Sequence, residues 1–375
     1  MALPGIPINM VIITVLLCAL AAAGAAEDAL HRRRLEAIPL RILVNGTRGK
    51  TSVTRLAAAA LNEGGIRTYA KTTGSDARWV LPDGQDIPYR KRRLVNMMEH
   101  LSFIRFARKG GAEAVVVECM ALRPENQRLT AQKLMRQHYT LITNAYPDHL
   151  EEIGKTPEET AHTLSLSIAP GSRVITGDTR FGGEQCMLPA QGEWQTLAGQ
   201  FDYHMHEENL ALVLALTDQL GIPRETAVRG MFKARPDIGM LGPFRAGKCL
   251  VVNGFSANDP TNFASLLNAC GERGDYLLLF NHREDRGYRL DTFAQTLRQA
   301  RRPPAAIAVI GSNKAWAARY LHKKCGIEAR PVAKPEAWLY SPQPQTLGQV
   351  LCAGNIRGEG KSLIEKLKGP DQKNG

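Results

Sequence analysis

Val44 to Ser52 reads VNGTRGKTS, a run whose chemistry would be the holding of a triphosphate. Gly46 and Gly49 let the backbone approach an anion closely, Lys50 has the reach for β and γ phosphates, and the Thr51 hydroxyl is a ligand for Mg²⁺. The pattern G-x-x-x-x-G-K-[ST] asks for glycine at position 44, where the chain has valine. Context outweighs that departure. The run follows an apolar strand-like segment and opens an alanine-rich helix-like one, so successive N–H groups and a helix N-terminus converge on anionic oxygens. The competing reading is an ordinary glycine-containing turn before a helix.

Two later segments carry what such a loop needs. AVVVECMA places Glu118 at the end of an apolar run, where a carboxylate is costly to bury unless a cation meets it. TNAYPDHLE then supplies Asn144, Asp148 and His149. Taken singly, a strand-end carboxylate is commonly a helix cap or ion-pair partner, and a lone histidine is commonly structural. Together they imply a second divalent cation beside the γ-phosphate.

The elements that must position these residues show in the alternation of the chain. RILVN (41–45), AVVVE (114–118), YTLITN (139–144) and SRVITGD (172–178) are short and β-branched, with helix-like stretches such as VTRLAAAALNEGG between them. That is βαβ organisation, hence a parallel sheet with ligand loops at the strand carboxyl ends. A second series follows, KCLVVN (248–253), YLLLFN (276–281), AAIAVIG (305–311) and VLCAGN (350–355), again alternating with helical segments. The fold class expected is α/β: a parallel-sheet P-loop ATPase domain at 36–231, then a smaller Rossmann-like domain at 232–375, with the boundary near Phe232.

Residues 1–35 read as a membrane anchor with a basic flank. Ile8 to Ala26 contain no charged residue, about the length of a helix that crosses a hydrocarbon core, and HRRR follows at 31–34. No lysine or arginine precedes the run, so the positive-inside rule puts the catalytic domains in the cytoplasm and the chain in the inner membrane as a single-pass protein. A cleaved signal peptide is the alternative, encouraged by AAAGAA but lacking a basic n-region. The seven cysteines form no C-x-x-C pair and no metal spacing, which favours a reducing compartment. With 375 residues and 44% hydrophobic side chains the chain can bury a large core. Its net charge of +12 points to an anionic partner without naming one.

At these motifs the sequence resembles the Mur ligase superfamily. VNGTRGKTS is similar to that family's GTNGKT loop, VVVECMA to its strand-end glutamate, TNAYPDHLE to its TN-x-x-x-DHLD segment, and HMHEENLALVLAL (204–216) to its HN-x-x-N-A-L-A-A helix. ARPD (234–237) and NGFSANDPTN (253–262) look like the opening and the D-Y-A-H-N-P turn of its C-terminal domain. Within the superfamily the likeness is to ligase subunits of poly-γ-glutamate synthases, which carry an N-terminal membrane segment.

The resemblance implies that ATP phosphorylates a carboxylate and that an amine then attacks the acyl phosphate, with Mg²⁺ as cofactor. It implies glutamate and a growing polyglutamate chain as substrates, and other membrane subunits of a synthase complex as partners. By matching position, Asn45, Gly46, Thr47, Arg48, Gly49, Lys50, Thr51, Ser52 and Asn144 would bind nucleotide. Thr51 would hold the first cation, Glu118 and His149 the second, and Asn209 would face adenine. Arg235 and Asn253 would reach the nucleotide from the C-terminal domain. Lys50, Glu118 and His149 are the residues expected to carry catalysis.

Departures accompany the matches. Many Mur ligases have a carbamylated lysine roughly twenty residues beyond the DH pair, where this chain reads TLSLSIAPG. Asn253 replaces the family aspartate, and no domain for a UDP-linked precursor precedes the loop. KTTGSDARWVLPDGQDIPYRKRR (71–93) reads as a solvated charged face or as a track for an anionic polymer, and NHREDRGYR (281–289) as a substrate contact or a surface ion-pair cluster. Folylpolyglutamate-like or cyanophycin-like ligation, and a nucleotide-binding membrane scaffold without turnover, remain rivals. A nucleic-acid partner is not expected, because no basic motif is interleaved with base-stacking aromatics.

Overall fold

The computed structural model describes residues 8–74, 77–89, 97–146, 153, 154, 156–182, 186, 187, 194–201, 203, 205–240, 243–257, 260–284 and 288–367. Met1–Thr73, Ala77–Trp194 and His206–Ala234 form one compact unit; Gly74–Asp76, Gln195–Met205 and Arg235–Gly375 form another.

The first unit begins with α1 (Ile8–Glu36), β1 (Leu40–Asn45), α2 (Lys50–Glu63), β2 (Thr68–Thr72), β3 (Arg78–Val80) and β4 (Asp86–Pro88). It continues with α3 (Glu99–Lys109), β5 (Ala114–Glu118), α4 (Pro124–Leu129) running into a π-helical turn at Thr130–Met135, β6 (Tyr139–Ile142), α5 (Pro157–Ser165), β7 (Arg173–Thr176) and β8 (Cys186–Met187). Next in the chain are α6 (Trp194–Ala198), α7 (Glu207–Gln219) and α8 (Arg224–Lys233). The sheet order is β4-β3-β2-β5-β1-β6-β7-β8, with the β3 and β4 pairings antiparallel and the rest parallel. β5 and β6 flank β1, so the carboxyl ends of these strands lie side by side. All five residues of β5 are buried, as a strand covered on both faces must be, which is why AVVVE reads as an unbroken apolar run rather than an alternation.

α1 is one continuous helix. From Asn9 to Ala26 it is exposed, and the span Asn9–Glu36 is long and apolar enough to cross a membrane. Its far end is different: Leu35 is buried in the same cluster as Ile38, Leu43 and Phe103, and His31 Nε2 lies 3.0 Å from the Leu134 carbonyl oxygen. The anchor expected at 1–35 therefore does not stop short of the domain, because its last turns supply part of the domain's core. Arg41 fastens the joint, its guanidinium donating to the carbonyls of Leu35 (2.9 Å) and Ile38 (2.8 Å) and so neutralising acceptors that a helix end leaves open.

The second unit comprises β9 (Phe244–Ala246), β10 (Cys249–Asn253), α9 (Pro260–Arg273), β11 (Leu277–His282), α10 (Tyr288–Gln299), β12 (Ala306–Gly311) and α11 (Lys314–Cys325). After them come β13 (Ala329–Pro331), α12 (Pro335–Leu339), α13 (Pro342–Leu347), β14 (Gln349–Ala353) and α14 (Glu359–Leu367). Its sheet runs β13-β12-β11-β14-β10-β9, parallel except at β9. Separate hydrophobic clusters around Phe280 and around Phe255 hold helices against the sheet. This is the Rossmann-like arrangement expected from the second series of apolar runs.

Candidate active site

β1 delivers the loop. Val44 is the penultimate residue of the strand, fully buried and in register with Glu118 on one side and Leu141 on the other. A position inside a strand has ordinary extended backbone, so the missing glycine is not needed there. The bends that do need glycine come later. Gly46 has φ 129° and a Cβ on it would fall 2.1 Å from Thr143 Oγ1; Gly49 has φ 81° and a Cβ would fall 2.6 Å from Asn209 Oδ1. Asn209, on α7, thus packs directly on the loop, and Gly49 starts α2 as its left-handed N-cap.

The loop is knitted to the end of β6. Asn144 Oδ1 accepts from the Thr47 hydroxyl at 2.6 Å and from the Arg48 N–H at 3.0 Å, while Asn144 Nδ2 donates to the Arg48 carbonyl. Thr143 Oγ1 donates to the same Arg48 carbonyl at 2.5 Å. The Arg48 guanidinium sits 5.9 Å from the Tyr146 ring centre. Asn45 turns inward, its amide donating to Gln127 Oε1 (2.9 Å) and Ser167 Oγ (2.8 Å) and its Oδ1 accepting from the Gly46 N–H. The side chains of Asn45 and Asn144 are therefore engaged in shaping the loop. Lys50 folds over it, with Nζ 2.6 Å from the Gly46 carbonyl oxygen, and Ser52 lies half-buried in the first turn of α2.

Glu118 closes the other side. It is 3% exposed, and its Oε2 accepts from the Thr51 hydroxyl at 3.0 Å and the Thr73 N–H at 2.7 Å. No lysine, arginine or histidine among the described residues forms an ion pair with it, and its Oε1 has no protein donor there. A buried carboxylate of this kind beside a hydroxyl fits a hard divalent cation. Among the described residues no group of three His, Cys, Asp or Glu side chains comes together, and His149 and Asp148 lie outside those residues. Cys119, next in the chain, is no nucleophile, because burial pushes its thiol up to about 11.

The remaining sites belong elsewhere. In the second unit Arg235 is exposed, and Asn253 ends β10 with Nδ2 donating to the Ile238 carbonyl at 3.0 Å. Lys71 is neither on a solvated face nor on a polymer track: it is 1% exposed, with Nζ 3.6 Å from Glu99 Oε2. The run at 90–93 lies outside the described residues. In NHREDRGYR, Asn281 and His282 are buried and 285–287 lie outside the described residues. Thr73, Thr143 and Gln127 escaped the sequence reading; Thr73 and Thr143 directly follow strands and Gln127 lies within α4, and uncharged side chains give no stronger signal.

Comparison with known proteins follows the same two units. Residues 44–166 match the family model of the Mur ligase middle domain, and residues 240–369 match that of the poly-gamma-glutamate synthase CapB C-terminal domain. The chain is 28% identical over 372 residues to the capsule biosynthesis protein CapB of Bacillus anthracis, covering 92% of this chain and 80% of that one. It is 31% identical over 295 residues to the PGA synthase CapB of Bacillus subtilis (strain 168), covering 72% and 74%. Among solved structures it is similar to the bifunctional folylpolyglutamate synthase/dihydrofolate synthase of Yersinia pestis complexed with AMPPNP and Mn ion, with a TM-score of 0.67, 15% identity and 92% of each chain covered. The fold that carries the Lys50 loop and Glu118 is thus the Mur ligase fold, and the chain belongs to the CapB family of poly-γ-glutamate synthases, ATP-dependent acid–amino-acid ligases.

Proposed function

We propose that Gly46, Thr47, Arg48, Gly49, Lys50, Thr51 and Ser52 hold the phosphates of ATP, that Thr51 holds a first Mg²⁺, and that Glu118 with His149 holds a second beside it. The observation that carries the reading is the meeting of the Thr51 hydroxyl and the buried Glu118 carboxylate at 3.0 Å, beside the Lys50 loop. Bound there, Mg²⁺ would neutralise charge on the transferring phosphoryl group.

The protein's own groups do the rest. Lys50 leaves the Gly46 carbonyl to meet phosphate oxygens, and the loop N–H groups orient the nucleotide for in-line attack. A substrate carboxylate oxygen bonds to the γ-phosphorus and ADP leaves. A glutamate amine then attacks the acyl carbon, phosphate departs, and the amine nitrogen gives up a proton as the γ-amide forms. Asn45 and Asn144 hold the loop's shape, and Asn209 supports Gly49 and faces adenine. Arg235 and Asn253 are assigned to the nucleotide on the family resemblance alone.

The same reading puts α1 across the inner membrane once, with the catalytic domains cytoplasmic, because HRRR follows the apolar run and no basic residue precedes it. Further membrane subunits of a synthase complex are its expected partners. The test is mass spectrometry of products formed by membranes containing the protein with ATP and glutamate. γ-Linked oligomers with one ADP released per bond are expected, and their absence, or their undiminished formation by Lys50→Ala, refutes the reading.

A further inference from the structure

A cavity lies at the opposite pole of the first unit from the Lys50 loop. It encloses about 850 Å³ at the amino ends of β1, β6 and β7, where the end of α1 meets the π-helical turn. That volume takes a ligand of several residues' bulk rather than a single ion. Arg41, Lys133, Arg136, His138 and Arg173 line it, against a single carboxylate, Glu36. Among the described residues no ion pair engages any of these basic side chains.

Two of its groups present donors to one another. The Arg41 backbone N–H donates to His138 Nδ1 at 3.1 Å, which assigns the ring proton to Nε2. Nε2 then faces Arg41 Nη2 at 3.2 Å, donor against donor, a pairing that an acceptor lying to one side within reach of both would relieve. Arg136, in the left-handed conformation at φ 45°, turns its carbonyl to the Arg41 guanidinium. Leu35, Ala169 and Pro170 add apolar atoms to the lining.

From this geometry we propose that the cavity is a second binding site for the polycarboxylate product, taking a stretch of γ-glutamyl chain away from the reaction centre. The proposal rests on the ligase reading above, which supplies the polymer. A γ-linked chain alternates carboxylates with pairs of methylenes, and the lining offers both cations and apolar side chains. A membrane lipid headgroup fits less well. Ten residues separate Ala26, where the apolar run ends, from Glu36. With α1 upright they lift the cavity about 15 Å from the hydrocarbon, beyond the roughly 5–7 Å of headgroup layer.

The experiment uses the full chain in nanodiscs of neutral lipid, a short fluorescent oligo-γ-glutamate as probe, and the exposed pair changed together, Lys133→Glu with Arg173→Glu, beside Lys133→Gln with Arg173→Gln. The parent should bind the probe with affinity that falls as salt rises. The charge-reversed protein should lose about tenfold or more, the glutamine pair less, with ADP binding and melting temperature unchanged and with shorter product chains formed at an unchanged initial rate. Equal probe binding by parent and charge-reversed protein overturns the site. So does displacement of the probe by anionic-lipid nanodiscs but not by unlabelled oligo-γ-glutamate, which would assign the cavity to lipid. Binding needs no turnover, so a parent that binds the probe yet forms no γ-glutamyl bond refutes the ligase reading and leaves this site standing.

Discussion

The Thr51 hydroxyl and the Thr73 N–H converge on a single oxygen of Glu118, Oε2, so the first turn of α2 and the end of β5 are joined where phosphate and cation would meet. Glu118→Gln keeps an acceptor for both donors and removes only the charge. We expect it to fold normally and bind ATP within about tenfold of the parent, under roughly 1.4 kcal/mol, but to turn over slowly and to require more Mg²⁺. A Mg²⁺ titration of phosphate release checks this, and a parental profile would make Glu118 structural.

Lys50→Ala should abolish ligation in a folded protein. The Lys50 ammonium donates to the Gly46 and Thr47 carbonyls, and Lys50 belongs to none of the hydrophobic clusters, so its loss leaves them intact. Turnover and a melting curve recorded on the same sample decide the matter; turnover at the parent's rate would exclude Lys50 from the phosphate site.

Val44→Gly restores the common loop pattern and should nevertheless harm the protein. It removes a fully buried side chain from the centre of a sheet and loosens the strand, costing about 2–3 kcal/mol, with no gain in nucleotide affinity. Chemical denaturation and ADP binding measure the two halves; tighter ADP binding would show that the loop does begin at position 44.

Removing residues 1–28 should release a stable, soluble protein, whereas removing 1–36 should not. The longer deletion takes away buried Leu35, the His31 contact to Leu134 and a carbonyl partner of Arg41, a loss of about 3–4 kcal/mol. Melting temperatures of the two truncations test this, and equal values would mean that the end of α1 adds nothing to the domain.

His100 is fully buried with neither ring nitrogen hydrogen-bonded, and burial first, then the Lys71 cation, holds its pKa well below the usual histidine range. Its folded pKa lies below its unfolded one, so the unfolded chain binds the extra proton. Stability is therefore complete above about pH 6.5 and is lost as pH falls below it. His100→Leu should flatten that slope, as melting temperature against pH will show; an unchanged slope assigns the acid sensitivity to other groups.

The strands and the loop were legible because their signals are local. RILVN, AVVVE and YTLITN mark β1, β5 and β6 to within two residues, and a glycine pair with lysine before a helix needs no distant partner to be read. Lys71 was misread for the opposite reason. Charge counting along 71–93 suggested solvent, but its burial depends on Glu99, well outside that stretch. The inward turn of Asn45 likewise depends on Gln127 and Ser167, 82 and 122 residues away, and polar side chains give no periodic trace of such pairings.

The unbroken run of α1 into the core, gripped by Arg41, has a mechanical consequence. A catalytic head on a flexible tether would sample every orientation above a bilayer, whereas one mounted on a rigid stem tilts and swivels only as the stem does. On the proposal that α1 spans the membrane, lipid thickness or a neighbour that cants the helix would turn the nucleotide loop with it, making membrane geometry a setting on where the enzyme points.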